Sequence, residues 1–106
     1  MRSLSVAEAA TSAGLPEAEL LRLIETGLLS ALRVDEEWRI PDWQFGEQGQ
    51  LIAGISSIIR AFAGSTAALA AWVEREHPDL GLTPRAALLE GRVDEVVYAA
   101  NRGTNL

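Results

Sequence analysis

The chain has no cysteine, no lysine and a single histidine, His77. The missing cysteines exclude disulfides and thiolate chemistry. One histidine, with no carboxylate cluster at ligand spacing around it, excludes an ordinary zinc site; His77 reads more simply as a cation at a helix C-terminus. No Ser–His–acid or Cys–His set supports nucleophilic catalysis. The nine glycines are scattered at helix ends rather than gathered into a phosphate loop. Glu74, Glu76 and Asp79 read as a solvated face rather than an acid/base pair. No run approaches the ~18 apolar residues of a membrane span, and nothing at the N-terminus resembles a secretion signal. The expectation is a cytoplasmic, non-enzymatic protein with no cofactor and no metal.

What is present is a compact acidic chain. Its 106 residues, 48% hydrophobic, suffice for one small domain or two very small ones. The net charge is −6, and all nine basic residues are arginine. Guanidinium suits interfaces, but in residues 1–50 four arginines face nine acids. Phosphate contacts need local positive charge. A DNA-binding N-terminal half therefore works with few cations and is expected to act as a dimer or larger complex.

Ser5 with Glu8 forms a capping box at the start of a first helix, which Gly14 ends. Leu15-Pro16-Glu17 opens a second, whose Leu20, Leu21, Leu23 and Ile24 make an apolar stripe. Gly27 closes it. Two short helices joined by a glycine turn are a helix-turn-helix candidate. Leu32, Val34, Trp38 and Ile40 then alternate with Arg33 and Arg39 around Asp35-Glu36-Glu37. This alternation predicts a hairpin with its apolar side on the helices and both arginines outward. The series SVAEAA, Gly14, LLRLIETGLL, LRV and WRIP resembles the excisionase-like, MerR-related winged helix-turn-helix, over residues 4–45. That resemblance implies DNA binding, although three acids stand at the wing tip where the family carries glycine or a base. Glu17, Glu19, Arg22, Arg33 and Arg39 are the candidate DNA-contacting residues. For the arginines, surface ion pairs with the surplus acids are an equal reading.

Asp42 to Gly49 reads as a joint that packs down through Trp43 and Phe45. For Trp43 itself, core and partner contact both remain open, whereas Trp38 and Trp72 read as core. Leu51, Ile52, Ile55, Ile58, Ile59 and Phe62 recur at helical spacing. Gly64-Ser65 breaks that helix, and the next carries Leu69, Trp72 and Val73 and ends near His77-Pro78. Thr83 and Pro84 are a cap and first residue of another short helix, stopped by Gly91. Val93, Val96, Val97 and Ala100 stripe the last helix, followed by a polar tail from Asn101 to Leu106.

Within this half, WVEREHPDLGLTPRAALLEG, Trp72 to Gly91, resembles the C-terminal toxin-binding domain of the Xre/MbcA/ParS antitoxins; the likeness runs from Ile52 to Ala100. It implies a cognate toxin of the RES type, which degrades NAD, blocked when the antitoxin's C-terminal end fills its cleft. Arg85, Asn101, Arg102, Asn105 and Leu106 are the positions that would make that contact.

The expected fold is mainly α: a winged helix-turn-helix of two helices and a short β-hairpin over 1–45, then a bundle of about four short helices over 46–106. The expected function is a type II antitoxin that binds its toxin and, as a homodimer, operator DNA. The rival is a stand-alone transcriptional regulator whose C-terminal helices only dimerise. A third reading is a partner-binding module that has lost DNA.

Overall fold

A computed structural model of the chain describes residues 2–104. It is mainly helical, with a small sheet. In order come β1 (Ser3–Leu4), α1 (Val6–Ala13), α2 (Glu17–Glu25), β2 (Leu32–Val34), β3 (Glu37–Pro41) and a 3-10 turn (Asp42–Gln44). Then follow α3 (Ile55–Ala61), α4 (Thr66–Val73), α5 (Pro84–Leu89) and α6 (Val93–Thr104). The sheet is antiparallel, in the order β1-β3-β2.

Local chemistry sets most helix ends. The Ser5 hydroxyl accepts from Glu8 N–H while the Glu8 carboxylate accepts from Ser5 N–H, the expected capping box. Gly14 closes α1 at φ 70°. Ser65 caps α4, and Thr83 caps α5 with Pro84 in its first turn.

The wing departs from expectation in its phase. The turn has two residues, not three: Asp35 and Glu36 lie at φ 51° and 67°, and Glu37 already belongs to β3. Both central residues at positive φ is the turn geometry that follows the twist of the flanking strands. Leu32 then faces Arg39, Arg33 faces Trp38 and Val34 faces Glu37. Directly opposite residues share a face of the sheet, so the four apolar residues cannot all point inward. Trp38 and Ile40 pack on the helices, so Arg33 shares their face while Arg39 lies on the other with Leu32 and Val34; Val34 is 46% exposed, and Arg39 is half-buried there against Ser3. Glu36 holds its conformation against the steric cost of a β-carbon at positive φ. Glu36→Gly is expected to stabilise the protein by ~0.5–1 kcal/mol, read as a raised urea midpoint at unchanged slope.

Two apolar clusters form, with Leu51 packed against both. The first gathers Ala9, Ala10, Leu20, Ile24, Leu29, Ile40 and Phe45; the second is built on α3 to α6 and includes Trp43. Trp43 is only 2% exposed, so the partner-contact reading gives way to core. Helix α3 starts at Ile55 rather than Leu51, because Leu51 is drawn into an extended bridge with Phe45 and Ile52 N–H donates to Gln44 O. Gly54, at φ 93°, caps it; a β-carbon there would lie 2.6 Å from Val93 Cγ1, so α3 and α6 meet almost backbone to side chain. Helix α4 stops at Val73, earlier than expected. His77 therefore sits in the elbow, where its N–H donates to Leu82 O and its ring meets Trp72 edge-on. The tail also differs: α6 continues through Thr104, so Asn101 and Arg102 are helical. Among the described residues no single helix is long and apolar enough to cross a membrane.

Candidate functional site

Helix α2 is the element a winged helix-turn-helix would lay in a groove. Leu20 and Ile24 hold it to the first cluster, which leaves Glu17, Ala18, Arg22 and Glu25 exposed. Arg22 is not a free cation. Its Nε and Nη2 donate to Glu19 Oε2 and Oε1 at 3.1 and 2.5 Å, a bidentate pair one helical turn apart. The hydrogen bond holds the Glu19 carboxyl below its ordinary range and pushes the guanidinium up. Both partners face water, where such pairs contribute little to stability. The pairing occupies the Arg22 guanidinium, which must leave Glu19 before it can engage any other group.

The wing adds one exposed arginine. Arg33 lies across the Trp38 ring, its guanidinium carbon 4.9 Å from the centroid, which stiffens it on an aromatic shelf. Asp35, Glu36 and Glu37 are exposed at the tip just beyond it. Arg39 serves a different purpose. It donates from Nε to Ser3 Oγ at 3.1 Å and from Nη2 to Ser3 O at 2.9 Å, binding β1 to β3. Of the DNA candidates, the structure brings Glu17, Glu19, Arg22 and Arg33 to the surface of the helix and wing, and withdraws Arg39 into the frame.

The joint between the clusters is stapled by polar groups that periodicity did not flag. Gln44 is fully buried. Its Oε1 accepts from Ser30 N–H at 2.7 Å, and its Nε2 donates to Ser30 O and Pro41 O at 2.9 and 3.1 Å. Arg85 donates from Nε to Trp43 O at 3.1 Å and from Nη2 to Phe45 O at 2.7 Å. Ser12 Oγ donates to Gly49 O at 2.7 Å, and Thr66 Oγ1 to Ala31 O at 3.3 Å. Arg85, a toxin-contact candidate from its place at a helix start, is thus half-buried and engaged inside the protein. A cleft of about 400 Å³ opens beside it, lined also by Arg2, Asp42, Trp43, Ala70 and Glu74. The only sequence signal for the staple was a glutamine flanked by two aromatics, which is not specific.

The other toxin candidates divide. Asn101 and Arg102 are exposed on α6, where Arg102 lies 5.6 Å from the centre of the Tyr98 ring. Asn105 and Leu106 lie outside the described residues. Tyr98 itself, 61% exposed, is a surface aromatic that the sequence reading did not single out. Its position opposite the buried Val96 stripe could have revealed it. At the start of this helix Arg92 pairs with Glu95 through two bonds of 2.8 and 2.9 Å. That pairing depresses the Glu95 carboxyl and raises Arg92. Among the described residues no group of three or more His, Cys, Asp or Glu side chains could hold a metal ion.

No family model and no curated protein matches the chain. Among solved structures it is similar to Rv2175c, determined by NMR, with a TM-score of 0.75 at 19% sequence identity. The match covers 97% of this chain and 81% of that one. The two chains share a fold across almost the whole of this one.

Proposed function

We propose that the protein is a cytoplasmic, sequence-specific DNA-binding regulator that acts as a homodimer. One observation supports this reading: α1 and α2, joined by a glycine turn, share one apolar cluster with β3 of the β2–β3 hairpin, the order of elements by which a helix enters the major groove while a wing rests on the backbone. Arg22, on α2, contacts a base edge or phosphate after exchanging Glu19 for it. Arg33, held flat on Trp38, contacts phosphate from the wing. Arg39 ties β1 to β3 at the side of the wing, and Glu17 disfavours non-specific binding at the front of the helix. So few cations give weak binding per copy, and two copies on one operator supply the rest.

Selection from a random duplex pool, followed by anisotropy titrations over salt, tests this. The expected slope of log K against log salt is shallow, about −2 per copy. Arg22→Ala and Arg33→Ala are each expected to flatten it by about 1, and Glu19→Gln to tighten binding by freeing Arg22. A pool that enriches no sequence at low salt would refute the proposal.

The acidity of the helix and wing supports a second reading, the antitoxin. Here the C-terminal helices cover a RES-type toxin, and the resemblance of Trp72 to Gly91 supplies the family. Co-expression with the product of the neighbouring gene decides it. A one-to-one or two-to-two complex that suppresses NAD loss is expected; separate elution of the two proteins would refute it.

A further inference from the structure

We propose that the outer face of α6 is a self-complementary surface that pairs with a second copy of this chain. The pairing is antiparallel, about a two-fold axis passing between the two Tyr98 rings. Asp94, Tyr98 and Arg102 are spaced by four residues along α6, directly opposite the stripe that buries Val96, Ala99 and Ala100. Residues four apart on a helix stack on one face, each ~6 Å further along the axis. The face therefore carries an acid, a central aromatic and a base in line.

Turned end for end about Tyr98, such a line matches itself. The Arg102 of one copy falls opposite the Asp94 of the other, twice over by symmetry, as an isologous contact requires. Glu95 does not compete for Arg102, because Arg92 already holds it. Among the described residues Asp94 forms no ion pair. Arg102 already leans over the Tyr98 ring, so little of its freedom remains to be lost on pairing. Beside the ring opens a cleft of about 370 Å³ floored by Leu80 and Ala99, a seat for the second copy's tyrosine. A tyrosine 61% exposed beside that cleft is the kind of aromatic anchor that carries interface energy.

The pairing gives the proposed homodimer its interface but does not require DNA, and it is tested without nucleic acid. Sedimentation velocity from micromolar to near-millimolar protein is expected to show a monomer passing into a dimer, weakened by salt. Asp94→Arg and Arg102→Asp alone each bring like charges face to face and are expected to raise the dissociation constant at least about tenfold. The double reversal is expected to restore it to within about threefold. Each reversal also opposes the dipole of α6, so thermal melts at monomeric concentration check folding. Tyr98→Ala, which alters no charge, is expected to abolish dimers independently. A single monomeric mass at every concentration, a dimer indifferent to the single reversals or to Tyr98→Ala, or a double reversal that fails to restore pairing would each overturn the proposal.

Discussion

Replacing Gln44 with leucine is expected to lower the unfolding free energy by ~2–4 kcal/mol, and the melting temperature by about 10–20 °C. Leucine nearly fills the space, so the loss is not one of volume. The glutamine amide satisfies Ser30 N–H, Ser30 O and Pro41 O in a fully buried site. With leucine there, Ser30 N–H, Ser30 O and Pro41 O each lose this partner away from water. Leaving a buried backbone group unpaired costs more than the net contribution of the bond itself.

Gln44→Glu sharpens the test. A carboxylate can still accept from Ser30 N–H, but it turns an oxygen toward two carbonyl oxygens where an amide donated. Burial and these neighbours raise the folded pKa above the unfolded value of about 4.3. The folded state then holds its proton to higher pH than the unfolded state does, so the variant gains stability as pH falls through the raised pKa and loses it as pH rises. Urea melts from pH 4 to 8 read both the size and the sign. A Gln44→Leu protein within ~1 kcal/mol of wild type would show that the staple is ornamental.

Arg85→Ala is expected to cost ~2–3 kcal/mol. The guanidinium reaches from the start of α5 to the carbonyls of Trp43 and Phe45, on either side of Gln44. Bonds in which the donor is charged are about twice as strong as neutral ones, and the planar fork meets two acceptors at once. Arg85→Lys keeps the charge and replaces the fork with a point donor, so it is expected to recover less than half of the loss. Hydrogen exchange of residues 43–52 should rise in the alanine variant well before that of α1 and α2. Unchanged protection at those amides would mean that Arg85 does not hold the joint.

How far the candidate site was legible depended on the range of the interactions that set it. Helix α2 and the hairpin could be read from spacing, because Leu20 and Ile24 on one face, and Trp38 and Ile40 on one strand, follow from helix and strand geometry alone. The phase of the hairpin could not. A shift from three turn residues to two moved Val34 onto the face of Arg39 and Arg33 onto the face of Trp38, and turn length is decided by strand twist and by packing beneath the sheet. For Arg22 a nucleic-acid contact and a surface ion pair were equal readings of the sequence, and the fold pairs it with Glu19. Charges three residues apart can pair or ignore each other with almost equal free energy.

The helix ends were written in short stretches of chain. Ser5 with Glu8, Gly14, Ser65, Thr83-Pro84 and Gly91 act within one turn of themselves, so their chemistry is complete before any distant residue arrives. So were the apolar faces of the amphipathic helices. Whether a polar residue is structural or available to a partner was settled by contacts 14 to 42 residues apart in the chain: Gln44 with Ser30, Arg39 with Ser3, Arg85 with Trp43. A glutamine or an arginine has the same local signature whether it faces water or a buried carbonyl. Only the folded chain brings the carbonyl to it, which is why α2 and the wing were legible from residues alone and the staple between the two cores was not.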